Sequence, residues 1–146
     1  MHRQVSLILA FAFTLCSCSR STQSSAESNK ALFRHAVDLW ATGDISALEQ
    51  VVAPGYIGHT STGGRDIQGL RQRIEAFHRL YSNISFHIED QMADGDKVVT
   101  RLTADVTMRD SGKSARLMGI NISRIADGKI VEEWNTWESV RSGRQE

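Results

Sequence analysis

Residues 118–138, MGINISRIADGKIVEEWNTWE, constrain the fold more than any other part of the chain. Two apolar-rich runs flank Ala126-Asp127-Gly128-Lys129. Asp-Gly at the centre of such a pair signals a two-residue type I′ hairpin turn, because both central positions need φ > 0. That turn predicts Ile125 opposite Ile130, Arg124 opposite Val131, Ile122 opposite Glu133, Ile120 opposite Asn135 and Met118 opposite Trp137. Successive side chains in a strand point to opposite faces. One face is therefore expected to carry Met118, Ile120, Ile122, Val131, Glu133, Asn135 and Trp137, and the other Gly119, Asn121, Ser123, Glu132, Trp134 and Thr136. The first set has the composition of an interior with a polar interruption at Asn135.

The 146 residues include seventeen basic and seventeen acidic side chains, 40% apolar residues and one proline, enough for one globular domain. Balanced charge and the lack of a basic run interleaved with aromatics argue against a nucleic-acid partner. Residues 1–17 differ from the rest: His2 and Arg3 precede an apolar run too short to span a bilayer, which takes about 20 residues, and Leu15-Cys16-Ser17-Cys18 follows. The segment resembles a bacterial lipoprotein signal peptide with Cys18 as the lipidated residue, the alternative being an ordinary secretory signal. Ser19 after Cys18 resembles outer-membrane sorting, so the expected place is the cell envelope, on the periplasmic side of an outer membrane where one exists. No cysteine follows Cys18, so no internal disulfide stabilises the domain. Residues 18–28 are polar and read as a flexible tether, and residues 139–146 as a polar tail.

Along the domain, Ser24-Ser25-Ala26-Glu27 has capping-box spacing, so a first helix is expected to start between Ser24 and Ser28 and run to Thr42. Leu32, Phe33, Ala36, Val37 and Trp40 form its apolar stripe. Gly43 ends it, Asp44 caps a short second helix, and Pro54 stops that one. A brief extended piece spans residues 56–59. Asp66 then caps a third helix with Ile67, Leu70, Ile74, Phe77 and Tyr81 inside and Arg71, Gln72, Arg73, Glu75 and Arg79 mostly outside. From Ile84 the period becomes two, with turns at Asp94-Gly95 and Asp110-Ser111-Gly112. Helices followed by a strand meander predict an α+β fold, three N-terminal helices packed on a curved antiparallel sheet.

The pattern G-I-x-I-x-R-I-A-D-G-K-I-V-E-x-W-x-x-W-[DE] resembles the closing hairpin of SnoaL-like polyketide and ester cyclases of the NTF2-like superfamily. Leu39-Trp40-Ala41-Thr42-Gly43-Asp44, Tyr56-Ile57-Gly58-His59, Gly69-Leu70-Arg71 and Gly95-Asp96-Lys97-Val98-Val99-Thr100-Arg101 extend the resemblance over residues 29–138. It implies an NTF2-like cone holding a small, mostly apolar molecule, with proton transfer beside a carbonyl, or activation of water, as its chemistry. It also implies a histidine in the cavity at His59, a ligand contact at Arg101, and an acid/base aspartate at the position of Asn135, whose amide does not titrate. The loop between Thr107 and Leu117 is shorter than in many such cyclases, which leaves the cavity more open or smaller.

His59 and Glu133 are the candidate catalytic residues, and Asn135, Trp137, Tyr56, Trp40, Ile120 and Arg101 the candidate ligand contacts. Each has a structural alternative. Glu133 could pair with Arg124 across the hairpin, Arg101 with Asp90, and Trp40 and Tyr56 could be plain core; His59 could be a loop histidine facing solvent. Asn121, Glu132 and Trp134 are the candidate interface, since a large aromatic on the outer sheet face suggests a homodimer. No metal-ligand spacing, phosphate loop, dinucleotide fingerprint or serine elbow is present, and no metal or cofactor is expected. The rival to a ligand-binding domain is an envelope interaction module whose cavity is filled by its own side chains.

Overall fold

The computed structural model describes residues 17–60 and 63–140, so the segment before Ser17 and most of the polar tail lie outside the described residues. In chain order the elements are α1 (Ser17–Thr42), α2 (Leu48–Val51), β1 (Val52–Thr60), β2 (Gly63–Arg65), α3 (Ile67–Leu80), β3 (Tyr81–Asp94), β4 (Lys97–Met108), β5 (Ser114–Ala126) and β6 (Lys129–Ser139). The fold is α+β, as the switch of period from helical to alternating predicts. Helix α1 reaches back to Ser17, so the tract read as a tether is helical there. No described helix is long and apolar enough to cross a membrane.

Local chemistry sets one boundary each of α1 and α3, whereas α2 starts after Ala47 with no side-chain cap, and Asp44, expected to cap it, accepts the Ser46 amide at 2.9 Å. Gly43, at φ 75°, closes α1 with its amide on the Leu39 carbonyl at 2.9 Å, a left-handed conformation that costs glycine little. Asp66 caps α3, its carboxylate accepting the Gly69 amide at 2.8 Å. The apolar stripes of α1 (Phe33, Ala36, Leu39) and α3 (Ile67, Leu70, Ile74) close on Val98, Leu102, Ile125 and Ile130 of the sheet, which is the core.

The six strands run in the order β2-β1-β6-β5-β4-β3, in one sheet. Residues 52–60 form a full strand rather than a brief extended piece, and β1 lies parallel to β6, so the sheet is mixed rather than wholly antiparallel. The β1–β6 pairing shifts register between Val52 and Ile57, around Pro54, which has no amide proton for a ladder.

The β5–β6 hairpin turns as its sequence predicts: Asp127 and Gly128 have φ of 51° and 70°, and Ile125 pairs with Ile130. A bulge then adds one residue to β6 between the Ile125–Ile130 and Arg124–Glu132 pairs, leaving Val131 without a partner. Beyond it, Ser123 faces Glu133, Asn121 faces Asn135 and Gly119 faces Trp137. A one-residue slip moves every side chain of a strand to the other face relative to its neighbour. Glu133, Asn135 and Trp137 thus share the inner face with Gly119, Asn121 and Ser123. Met118, Ile120 and Ile122, expected inside, take the outer face, where Ile120 is 47% exposed.

Candidate active site

Between the helices and the inner sheet face lies a partly open cavity of about 310 Å³. An aromatic chain forms one wall: Trp40 meets Phe77 edge-on at 5.7 Å, Phe77 lies 6.0 Å from Phe86, and Phe86 meets Trp137 edge-on at 6.0 Å. Tyr56, Asn121, Glu133, Asn135, Arg65 and Arg73 bring polar groups to the same space. This combination of an apolar wall and a few convergent polar groups is the usual build of a small-molecule site.

Glu133 is the chemical centre of that wall and is 7% exposed. Its Oε2 accepts the Tyr56 hydroxyl at 2.8 Å. Its Oε1 accepts the Asn121 amide at 3.1 Å and lies 2.9 Å from Ser123 Oγ. Ser123 Oγ is also 2.7 Å from Asn121 Oδ1. One hydroxyl proton cannot serve both acceptors. The network closes when Glu133 is a neutral acid: its O–H donates to Ser123 Oγ, and Ser123 donates to Asn121 Oδ1. Burial, which penalises the charged carboxylate, likewise raises the Glu133 pKa above the ordinary value, against the opposing influence of its hydrogen bonds and of the nearby Arg73. Burial, then the charge of Glu133, pushes the Tyr56 hydroxyl upward, so it remains a neutral donor.

Two glycines make room for this arrangement. A Cβ at Gly58 would lie 2.6 Å from the Tyr56 hydroxyl, and one at Gly119 would lie 2.4 Å from the Trp137 ring. The bare backbone at these positions lets Tyr56 reach across to Glu133 and lets the indole lie against β5.

The expected site residues divide. Glu133, Asn135, Trp137, Tyr56 and Trp40 all line the cavity. His59 does not: its ring stacks on Trp134 at 5.0 Å and 7°, with Nε2 2.8 Å from Glu132 Oε1, because alternation along β1 turns it outward beside the outward residues of β6. Arg124 pairs with Glu132 at 2.9 Å, not with Glu133, a direct result of the bulge. Hydrogen bonds from His59 and then Arg124 lower the Glu132 pKa. Arg101 is held by Asp90 at 2.6 Å on the outer face, and Ile120 is also outside. Asn121, expected at an interface with Glu132 and Trp134, is instead 7% exposed beside Glu133. Arg73 belongs to the cavity although its charge suggested an outward position. Its spacing of three from Leu70 and four to Phe77, both lining residues, is the sequence signal for it. Among the described residues no group of histidines, cysteines and carboxylates could hold a metal.

The family model for SnoaL-like polyketide cyclases matches residues 30–146. The chain belongs to that family. Its fold is similar to AclR of Streptomyces galilaeus, a candidate hydroxylase (20% identity, covering 77% of this chain and 90% of that one, TM-score 0.71). A candidate polyketide cyclase of Bacillus cereus shares 28% identity over 76% of this chain and 74% of its own, with TM-score 0.69. IdmH of Streptomyces antibioticus, a candidate polyketide cyclase, shares 21% identity over 75% and 91%, with TM-score 0.68. No curated protein is a significant match to the chain. In this chain the buried carboxyl of Glu133 stands two residues before the amide of Asn135.

Proposed function

We propose that this SnoaL-like protein binds a small, mostly apolar carbonyl compound in its cone and moves a proton beside the carbonyl, as a cyclase or isomerase does. The observation that carries this reading is Glu133: a carboxyl in a polar cluster at the wall of an apolar cavity, with its pKa raised by burial. In the step proposed, ionised Glu133 accepts a proton from the carbon next to the carbonyl. The C–H electron pair becomes the C=C of an enolate, and the Asn135 amide stabilises its oxygen. In a β,γ-unsaturated ketone, return of the proton from Glu133 to the γ carbon of the dienolate isomerises the compound, whereas attack of the enolate carbon on a second carbonyl closes a ring and the resulting alkoxide takes the proton back from Glu133. The test is deuterium incorporation beside the carbonyl of β-tetralone, followed by NMR with the purified protein. Saturable exchange above the buffer rate is expected. Binding without exchange would end the catalytic reading, and failure of small bicyclic ketones to bind at all would end the pocket reading.

The amino-terminal sequence supports export with Cys18 carrying lipid, and thus a place in the bacterial cell envelope. Metabolic labelling with an alkyne fatty acid is expected to mark the full chain and not Cys18→Ser; equal labelling of both would refute it.

A second reading, an interaction module that pairs with a twin subunit, is favoured by the outer sheet face, where Ile57, Ile120 and Trp134 are 50%, 47% and 36% exposed. Trp134→Glu is expected to convert a dimer to a monomer in sedimentation with the cavity intact. A wild-type monomer at high concentration would remove this reading.

A further inference from the structure

The proton chemistry at Glu133 leaves the charge of the ligand open, and the other ionisable groups of the cavity bear on it. Arg65, Arg73, Glu133 and Glu138 line the space. Glu138 is exposed near the end of β6 and lines the same space. Burial, and then the neighbouring Arg65, disfavours the protonated form of Arg73, and Glu133 when ionised favours it. Arg73 is half-buried on the cavity face of α3, and among the described residues its side chain makes no hydrogen bond or ion pair. The nearby carboxyl that could neutralise it, Glu133, has its oxygens engaged by Tyr56, Asn121 and Ser123, in a network that closes with the acid neutral. The pocket therefore presents a guanidinium without a fixed counter-ion, together with hydrogen-bond donors and an aromatic wall.

We propose that the cavity takes small, largely apolar carboxylic acids as their anions, with the carboxylate on Arg73 and the apolar body against Trp40, Phe77, Phe86 and Trp137. The planar fork of a guanidinium matches the two oxygens of a carboxylate, and such charge-assisted pairs are the stronger hydrogen bonds. A cavity of about 310 Å³ is near the small end of ligand sites and suits one or two rings rather than an extended polycycle. The inference rests on the pocket reading above and specifies which compounds that pocket selects; under it the reacting ketone also carries a carboxylate, and a neutral ketone is a weaker substitute.

The test is calorimetric titration of the full chain, near neutral pH, with naphthoate and with its methyl ester, which share a ring system and differ in charge. Naphthoate is expected to bind about tenfold to a hundredfold more tightly than the ester. Arg73→Met is expected to remove that preference, and a cooperative thermal transition shows that the variant is folded. Arg73→Lys is expected to keep part of it. Equal binding of acid and ester, or a preference that survives in Arg73→Met, would overturn the carboxylate inference and leave the pocket reading standing. If neither compound binds and neither perturbs the fluorescence of the cavity tryptophans, both fall together.

Discussion

Glu133→Gln is expected to lower the catalysed deuterium exchange by two to four orders of magnitude, roughly the share that a positioned acid or base contributes. Glutamine is nearly isosteric with the neutral acid, so Tyr56 keeps an acceptor and Ser123 a donor in place of the hydrogen bonds that Glu133 now makes. It cannot accept a proton from carbon. If exchange depends on ionised Glu133, the wild-type rate rises with pH through the raised pKa of this group, later than for an ordinary carboxylate, and that limb disappears in the variant. Stability moves the other way. A carboxyl whose folded pKa lies above its unfolded value of about 4.3 contributes fully below that value and loses its contribution as pH rises through the folded pKa. The melting temperature of Glu133→Gln is therefore expected to gain on wild type as pH rises through that window. Undiminished exchange in the variant would remove Glu133 from the chemistry, and parallel melting curves at all pH values would show that its carboxyl is not buried neutral.

Gly119→Ala is expected to cost about 1–3 kcal/mol and to displace the indole of Trp137, because overpacking a filled site forces neighbours from their preferred rotamers. The added Cβ would sit 2.4 Å from a ring carbon rather than from the tip of a flexible chain. Phe86 lies edge-on to the ring and buried Ala104 and Leu117 belong to the same cluster, so the ring retreats toward the cavity it lines. Thermal denaturation reads the loss of stability, and a red-shifted tryptophan emission together with weaker ligand binding reads the move of the ring. A variant with wild-type stability and emission would mean that Gly119 is not the floor beneath Trp137.

The polar cluster explains why the inner face of β5 departs from apolar alternation. Asn121 and Ser123 point inward and Ile120 and Ile122 outward, the reverse of a hydrophobic core pattern, because the inward positions serve Glu133. Local rules tend to fail where function overrides packing. Arg73 and Gly119 fit the same account: a cation on a helix face otherwise lined by Leu70, Ile74 and Phe77, and a glycine in the middle of a strand, both weaken local order; Arg73 borders the cavity, and Gly119 lies against Trp137, which does.

The sequence by itself determined the features whose causes are local. The Asp127-Gly128 turn, the Asp66 cap, the stripe of α3, the alternation beginning near Ile84 and the common side of Glu133, Asn135 and Trp137 all follow from neighbours a few residues apart. Only the tertiary structure decided which residues of β5 meet that side, because a single unpartnered residue at Val131 changes the register without a mark in composition. It also decided that β1 runs parallel to β6, which turns Tyr56 inward to Glu133 and His59 outward to Glu132. Those contacts join residues more than seventy positions apart, and at that distance burial and pairing with the rest of the sheet select the partner, not the periodicity of either segment.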